Sequence, residues 1–129
     1  KWENVSNGEK VAIIATGKMV QFAVMAKEIL KKLNINPTII NATFIKPLDI
    51  EMLNTLMDNN YNIVTVEDNM ENGGLGSMIS CYLNSCNYNG KIKILAYKDK
   101  FIEQGSVDII YNENGLDKEG IAKAVLELC

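Results

Sequence analysis

Four short apolar runs punctuate the chain, at residues 11–16, 38–44, 63–67 and 92–97. Each is rich in β-branched residues and bounded by Gly, Asn, Pro or Lys, the pattern of a strand buried on both faces. A weaker strand is expected at residues 2–5, before the turn-like Ser6-Asn7-Gly8. Between the runs the apolar period becomes helical. Over residues 18–33, Met19, Phe22, Ala23, Met25, Ala26, Ile29, Leu30 and Leu33 share one face at about 100° per residue. Gln21, Lys27, Glu28, Lys31 and Lys32 fall opposite. Val20 and Val24 stand one turn apart on that polar side, and we expect another domain or subunit to cover them.

Three more helices follow. The second starts at Asp49, an N-cap after Pro47, with Met52, Leu53, Leu56 and Met57 as its stripe. The third begins near Gly74 and carries Leu75, Met78, Ile79, Tyr82 and Cys86. The last is capped by Asp117, with Leu116 and Ile121 as the arms of a hydrophobic staple. Ile121, Val125 and Leu128 then face the core. A helical turn is expected at residues 107–111. Strands alternating with helices imply right-handed crossovers and a mostly parallel sheet in a three-layer α/β/α fold. Residues 1–10 read as an interdomain connection plus an edge strand, and residues 11–129 as one domain.

Composition narrows the function. The chain has 129 residues, 47% of them apolar, and a net charge of −3. That balance argues against a nucleic-acid or anionic-membrane partner. No apolar run approaches the ~18 residues of a transmembrane helix. Cys81, Cys86 and Cys129 form no CxxC pair and read as reduced thiols of a cytoplasmic protein. There is no histidine, and every one of the 13 cations is lysine. The commonest acid–base group and the fork that grips phosphate bidentately are therefore missing. The first residue is Lys1, and we expect the chain to be part of a longer one.

Ligands of open α/β sheets gather beyond the carboxyl ends of the strands. Thr16-Gly17-Lys18 lies there but lacks phosphate-loop spacing; it reads as a tight turn. In Phe44-Ile45-Lys46-Pro47-Leu48-Asp49, Pro47 restricts the backbone before the helix, and Lys46 is a candidate for a partner carboxylate. Glu67 and Asp68 end a strand just before a glycine-rich turn with Gly73, Gly74, Gly76 and Ser77. Backbone N–H groups at such a helix start attract anions, and a carboxylate such as Glu67 itself is the expected anion. Phe101 and Ile102, in a polar loop, are candidates for docking onto another surface. No nucleophile–base pair and no metal-ligand spacing emerges, so no catalytic, cofactor-binding or metal-binding residue is assigned. The chain reads as a scaffold or interaction domain, with a regulatory small-ligand module as the alternative.

Four strings in register carry a family resemblance. They are Asn41-Ala42-Thr43-Phe44-Ile45-Lys46-Pro47-Leu48-Asp49, Val64-Thr65-Val66-Glu67-Asp68 with Gly73-Gly74-Leu75-Gly76-Ser77, Phe101-Ile102-Glu103-Gln104-Gly105, and Gly115-Leu116-Asp117-Lys118-Glu119-Gly120-Ile121. Together they resemble the C-terminal part of 1-deoxy-D-xylulose-5-phosphate synthases. Thr43 and Gln104 depart from the family, which often has arginine and histidine there. The resemblance implies a transketolase C-terminal-like fold: a five-stranded mixed sheet between helices, with one antiparallel edge strand. It implies a structural and dimerisation domain of a homodimeric transferase condensing pyruvate with glyceraldehyde 3-phosphate, for isoprenoid, thiamine and pyridoxal synthesis. Thiamine diphosphate and Mg²⁺ would sit in the preceding domains of the same chain, leaving this segment inactive alone. Transketolase and the β chain of 2-oxoacid dehydrogenases share the fold and are the near alternatives.

Overall fold

The strands of the computed structural model are β1 (Glu3–Ser6), β2 (Val11–Ala15), β3 (Thr38–Asn41), β4 (Asn62–Glu67) and β5 (Ile92–Ala96). The helices are α1 (Met19–Lys31), α2 (Ile50–Asp58), α3 (Leu75–Ser85) and α4 (Lys118–Glu127). The structure describes residues 1–67, 74–96 and 117–129. Tyr97 of the last strand, the turn at 107–111 and the Leu116 arm of the staple lie outside the described residues. So do Asp68, Gly73, Phe101, Ile102 and Gln104.

The sheet order is β1-β3-β2-β4-β5. β2 pairs in parallel with β3 and β4, and β4 with β5, whereas β1 runs antiparallel to β3 at the edge. The expected mixed sheet is therefore present. Every residue of β2 is buried, because helices cover both faces. Val11, Ile13 and Ala15 join Val64 and Val66 in a cluster with α1 and α4. Ala12, Ile14 and Ile63 face the opposite way, into a cluster with α2, α3, Trp2 and Ala42. A β-branched side chain buried there contributes roughly 1.5–3 kcal/mol.

β5, read from its sequence as buried on both faces, has no buried residue and exposes Ile94, because it lies at the sheet edge. Three further local expectations need correction. First, β3 stops at Asn41, short of Phe44. Ala42 still donates its N–H to the Ala15 carbonyl at 2.9 Å. The chain then turns away, and the Phe44 carbonyl accepts the Trp2 indole N–H at 2.7 Å.

Second, α1 is rotated from its expected setting. Its buried residues are Met19, Ala23, Ala26, Lys27 and Leu30. Met25 and Leu33, expected in the core, are exposed. Val20, expected off the core, packs against it. The small Ala23 and Ala26 face the sheet side while α1 also packs along α4. Lys27 is only 8% exposed. Its Nζ donates to Ser6 Oγ at 2.6 Å and to the Asn7 carbonyl at 2.7 Å. Burial lowers its pKa, Lys31 adds to that effect and Glu28 opposes it.

Third, α3 buries Leu75, Gly76, Ile79 and Leu83. Cys86, expected on its stripe, is the exposed C-cap. Gly76 explains the rotation, because a Cβ there would stand 2.5 Å from Ile94 Cγ2 and 2.7 Å from Thr65 Oγ1. Only a glycine lets the helix backbone approach the sheet so closely.

Candidate functional site

From β2 the chain crosses towards β3, and from β4 towards β5, so strand order reverses between β2 and β4. The carboxyl ends of these two strands form the topological switch point, where open α/β sheets hold ligands. On the β2 side, the Thr16 N–H donates to the Val66 carbonyl at 3.1 Å, and Met19 N–H to the Thr16 carbonyl at 2.9 Å. Gly17 has φ +51°, a left-handed conformation that suits glycine. Thr16-Gly17-Lys18 is thus a tight turn into α1, as its spacing suggests.

The β4 side is built around Glu67, which is 2% exposed. Its Oε1 accepts the Leu75 N–H and its Oε2 the Gly76 N–H, both at 2.9 Å. A carboxylate at a helix amino end meets unsatisfied donors and the positive end of the dipole. Gly74, the N-cap, has no side chain because a Cβ would collide with the Glu67 carboxylate. Gly74 makes room for an internal carboxylate, so these two amides of α3 are already engaged. Ser77 points outward and is exposed.

Lys46 is exposed in the segment between β3 and α2, where the Lys46–Pro47 peptide is cis. Asp49 closes this segment. Its Oδ1 accepts the Met52 N–H at 3.0 Å, capping α2, and its Oδ2 accepts the Trp2 N–H at 2.8 Å. Burial pushes the Asp49 pKa up, but the Met52 and Trp2 N–H bonds, aided by the Lys1 side chain, act against it, and the pKa lies below the usual range.

The structure thus brings Glu67, Gly74 and Gly76 together and leaves Lys46 and Ser77 at the surface. Val24 is 40% exposed on α1, whereas Val20 is half-buried against the core. Trp2 escaped the sequence reading as a structural residue. It is 4% exposed, and the signal was its status as the single tryptophan in a segment read as a connection. Among the described residues no group of three or more His, Cys, Asp or Glu is placed to hold a metal. Among them, too, no helix is long and apolar enough to cross a membrane.

Comparison with known proteins adds the family. The model of the transketolase C-terminal domain matches residues 1–121. The 1-deoxy-D-xylulose-5-phosphate synthase of Clostridium perfringens (strain SM101) is 54% identical over 129 residues, covering 99% of this chain and 21% of that protein. The synthase of Clostridium beijerinckii is 51% identical over 128 residues, again covering 99% and 21%. The chain therefore spans about a fifth of the length of the curated relatives it matches. Among solved structures, a split-gene transketolase described as an inactive beta4 tetramer superposes with a TM-score of 0.89 at 25% identity. That match covers 99% of this chain and 42% of the other.

Proposed function

Because the chain belongs to the transketolase C-terminal domain family, we propose that it is the C-terminal domain of a 1-deoxy-D-xylulose-5-phosphate synthase. In this reading the whole enzyme condenses pyruvate with glyceraldehyde 3-phosphate in the cytoplasm, as a homodimer, and this domain supports the others. The observation that carries the proposal is identity of 51–54% along 99% of the chain to synthases.

Thiamine diphosphate and Mg²⁺ would belong to the preceding domains. The described residues of this chain do not fit the cofactor. A diphosphate at the amino end of α3 would have to displace the Glu67 carboxylate from Leu75 and Gly76. The chain also has neither histidine nor arginine. No step of the reaction is assigned to its side chains. Their part is to hold a sheet whose exposed elements, the Lys46 segment and the Val24 face of α1, meet the rest of the enzyme. Phe101 and Ile102 are assigned to the same contact on sequence grounds.

The test is an assay of the purified chain with pyruvate, glyceraldehyde 3-phosphate, thiamine diphosphate and Mg²⁺. No 1-deoxy-D-xylulose 5-phosphate is expected from the chain alone, and turnover above blank sinks the scaffold role. Mixing it with separately produced preceding domains should restore condensation.

A further inference from the structure

We propose that residues 1–8 form a two-ended clasp, which couples whatever pulls on Lys1 to the first turn of α2 and to the segment carrying Lys46. At one end, Trp2 is buried in the α2–α3 cluster. Its backbone N–H reaches Asp49 Oδ2 at 2.8 Å and its indole N–H reaches the Phe44 carbonyl at 2.7 Å. The Trp2 and Phe44 rings lie 6.4 Å apart. The other oxygen of Asp49 caps α2 through Met52. One carboxylate therefore joins the entering chain to the start of a helix.

At the other end, Lys27 of α1 holds Ser6 and Asn7, and the Tyr61 hydroxyl donates to the Gly8 carbonyl at 2.9 Å. Between these ends β1 is an edge strand paired antiparallel with β3. Glu3, Asn4 and Val5 are exposed, and the register with β3 shifts between Asn4 and Ser6. A loose linker would show the opposite, with few long-range bonds at its ends. Here partly buried polar bonds grip both ends, while the strand between them exposes its side chains and is held only at the sheet edge. A displacement at residue 1 is not absorbed within residues 1–8. It moves Asp49, and with it the α2 cap.

The idea rests on the proposed function only for what lies before Lys1; the clasp itself is a property of this chain. Hydrogen exchange on the 129-residue chain tests it. Trp2→Phe removes the indole bond, and should speed exchange of the Met52 and Leu53 amides, both bonded to Asp49, by about ten-fold, as a local opening would. Amides of β2 and β4 should keep their parent rates. Unchanged exchange at Met52 and Leu53, or an equal rise in β2 and β4, overturns the clasp. Lys27→Met loosens the other end alone, so exchange should rise at Glu3–Ser6 and stay unchanged at Met52 and Leu53. An equal rise at both places overturns the two-ended arrangement. The intact mass of the natural product tests the synthase reading separately: a product no larger than this chain defeats that reading and leaves the clasp standing.

Discussion

Replacing Glu67 by glutamine isolates what the buried carboxylate does for the fold. The glutamine has nearly the same shape, so packing against α3 is preserved. One of its two terminal atoms becomes an NH₂ group. Either Leu75 N–H or Gly76 N–H, each now 2.9 Å from a carboxylate oxygen, then faces a donor. Losing one hydrogen bond to a charged group costs about 1.5–3 kcal/mol, and the buried N–H left without an acceptor costs about 1–3 kcal/mol; the two overlap. Removing the anion from the helix start adds about 0.3–1 kcal/mol. Burying an amide is cheaper than burying a charge, which offsets part of this. The net loss expected for Glu67→Gln is about 2–4 kcal/mol, lowering Tm by about 7–15 °C for a chain of this length. Denaturant unfolding followed by far-ultraviolet circular dichroism and by Trp2 fluorescence measures it, provided the two transitions coincide. A change below about 0.5 kcal/mol, the range of ordinary surface substitutions, refutes the assignment of Glu67 as the α3 anchor.

Three further outcomes follow from the same geometry. Gly76→Ala places a Cβ against Ile94 and Thr65, and should cost about 1–3 kcal/mol by denaturant unfolding; a stable variant would mean that α3 shifts freely on the sheet. The Asp49 pKa is depressed in the folded chain, so its stabilisation is present above the unfolded value of about 4 and is lost as pH falls through the lower folded value. Asp49→Asn keeps a capping side chain and should flatten the acid side of the stability profile; superimposable profiles contradict this. Val24 is 40% exposed, so Val24→Lys should leave the chain within about 0.5 kcal/mol of the parent. It should weaken assembly of the full-length protein, measured by sedimentation, and unaltered assembly removes Val24 from the interface.

The functional site was partly legible in the residues. Glu67 could be named as the anion of the glycine turn because a strand ends in the acids Glu67 and Asp68 and a glycine-rich stretch opens the next helix. Asp49 and Asp117 were legible as N-caps, and both accept the expected N–H, from Met52 and Gly120. The roles of Trp2 and Lys27 were not legible. Their partners lie 47 and 42 residues away for Trp2, and 21 and 20 residues away for Lys27, and no local pattern encodes such pairings.

Local chemistry thus determined the kinds of element and their alternation. Period, caps and β-branched runs act within a few residues, and a sequence displays them directly. The core faces of α2 and α4 were legible as well, but the tertiary structure alone decided how α1 and α3 turned. The apolar arc of α1 is broad enough to allow several settings, and contact with α4 and the β1 turn selected the one that buries Lys27 and exposes Met25. The missing side chain of Gly76 did the same for α3, because its effect depends on Ile94 and Thr65 standing opposite across space.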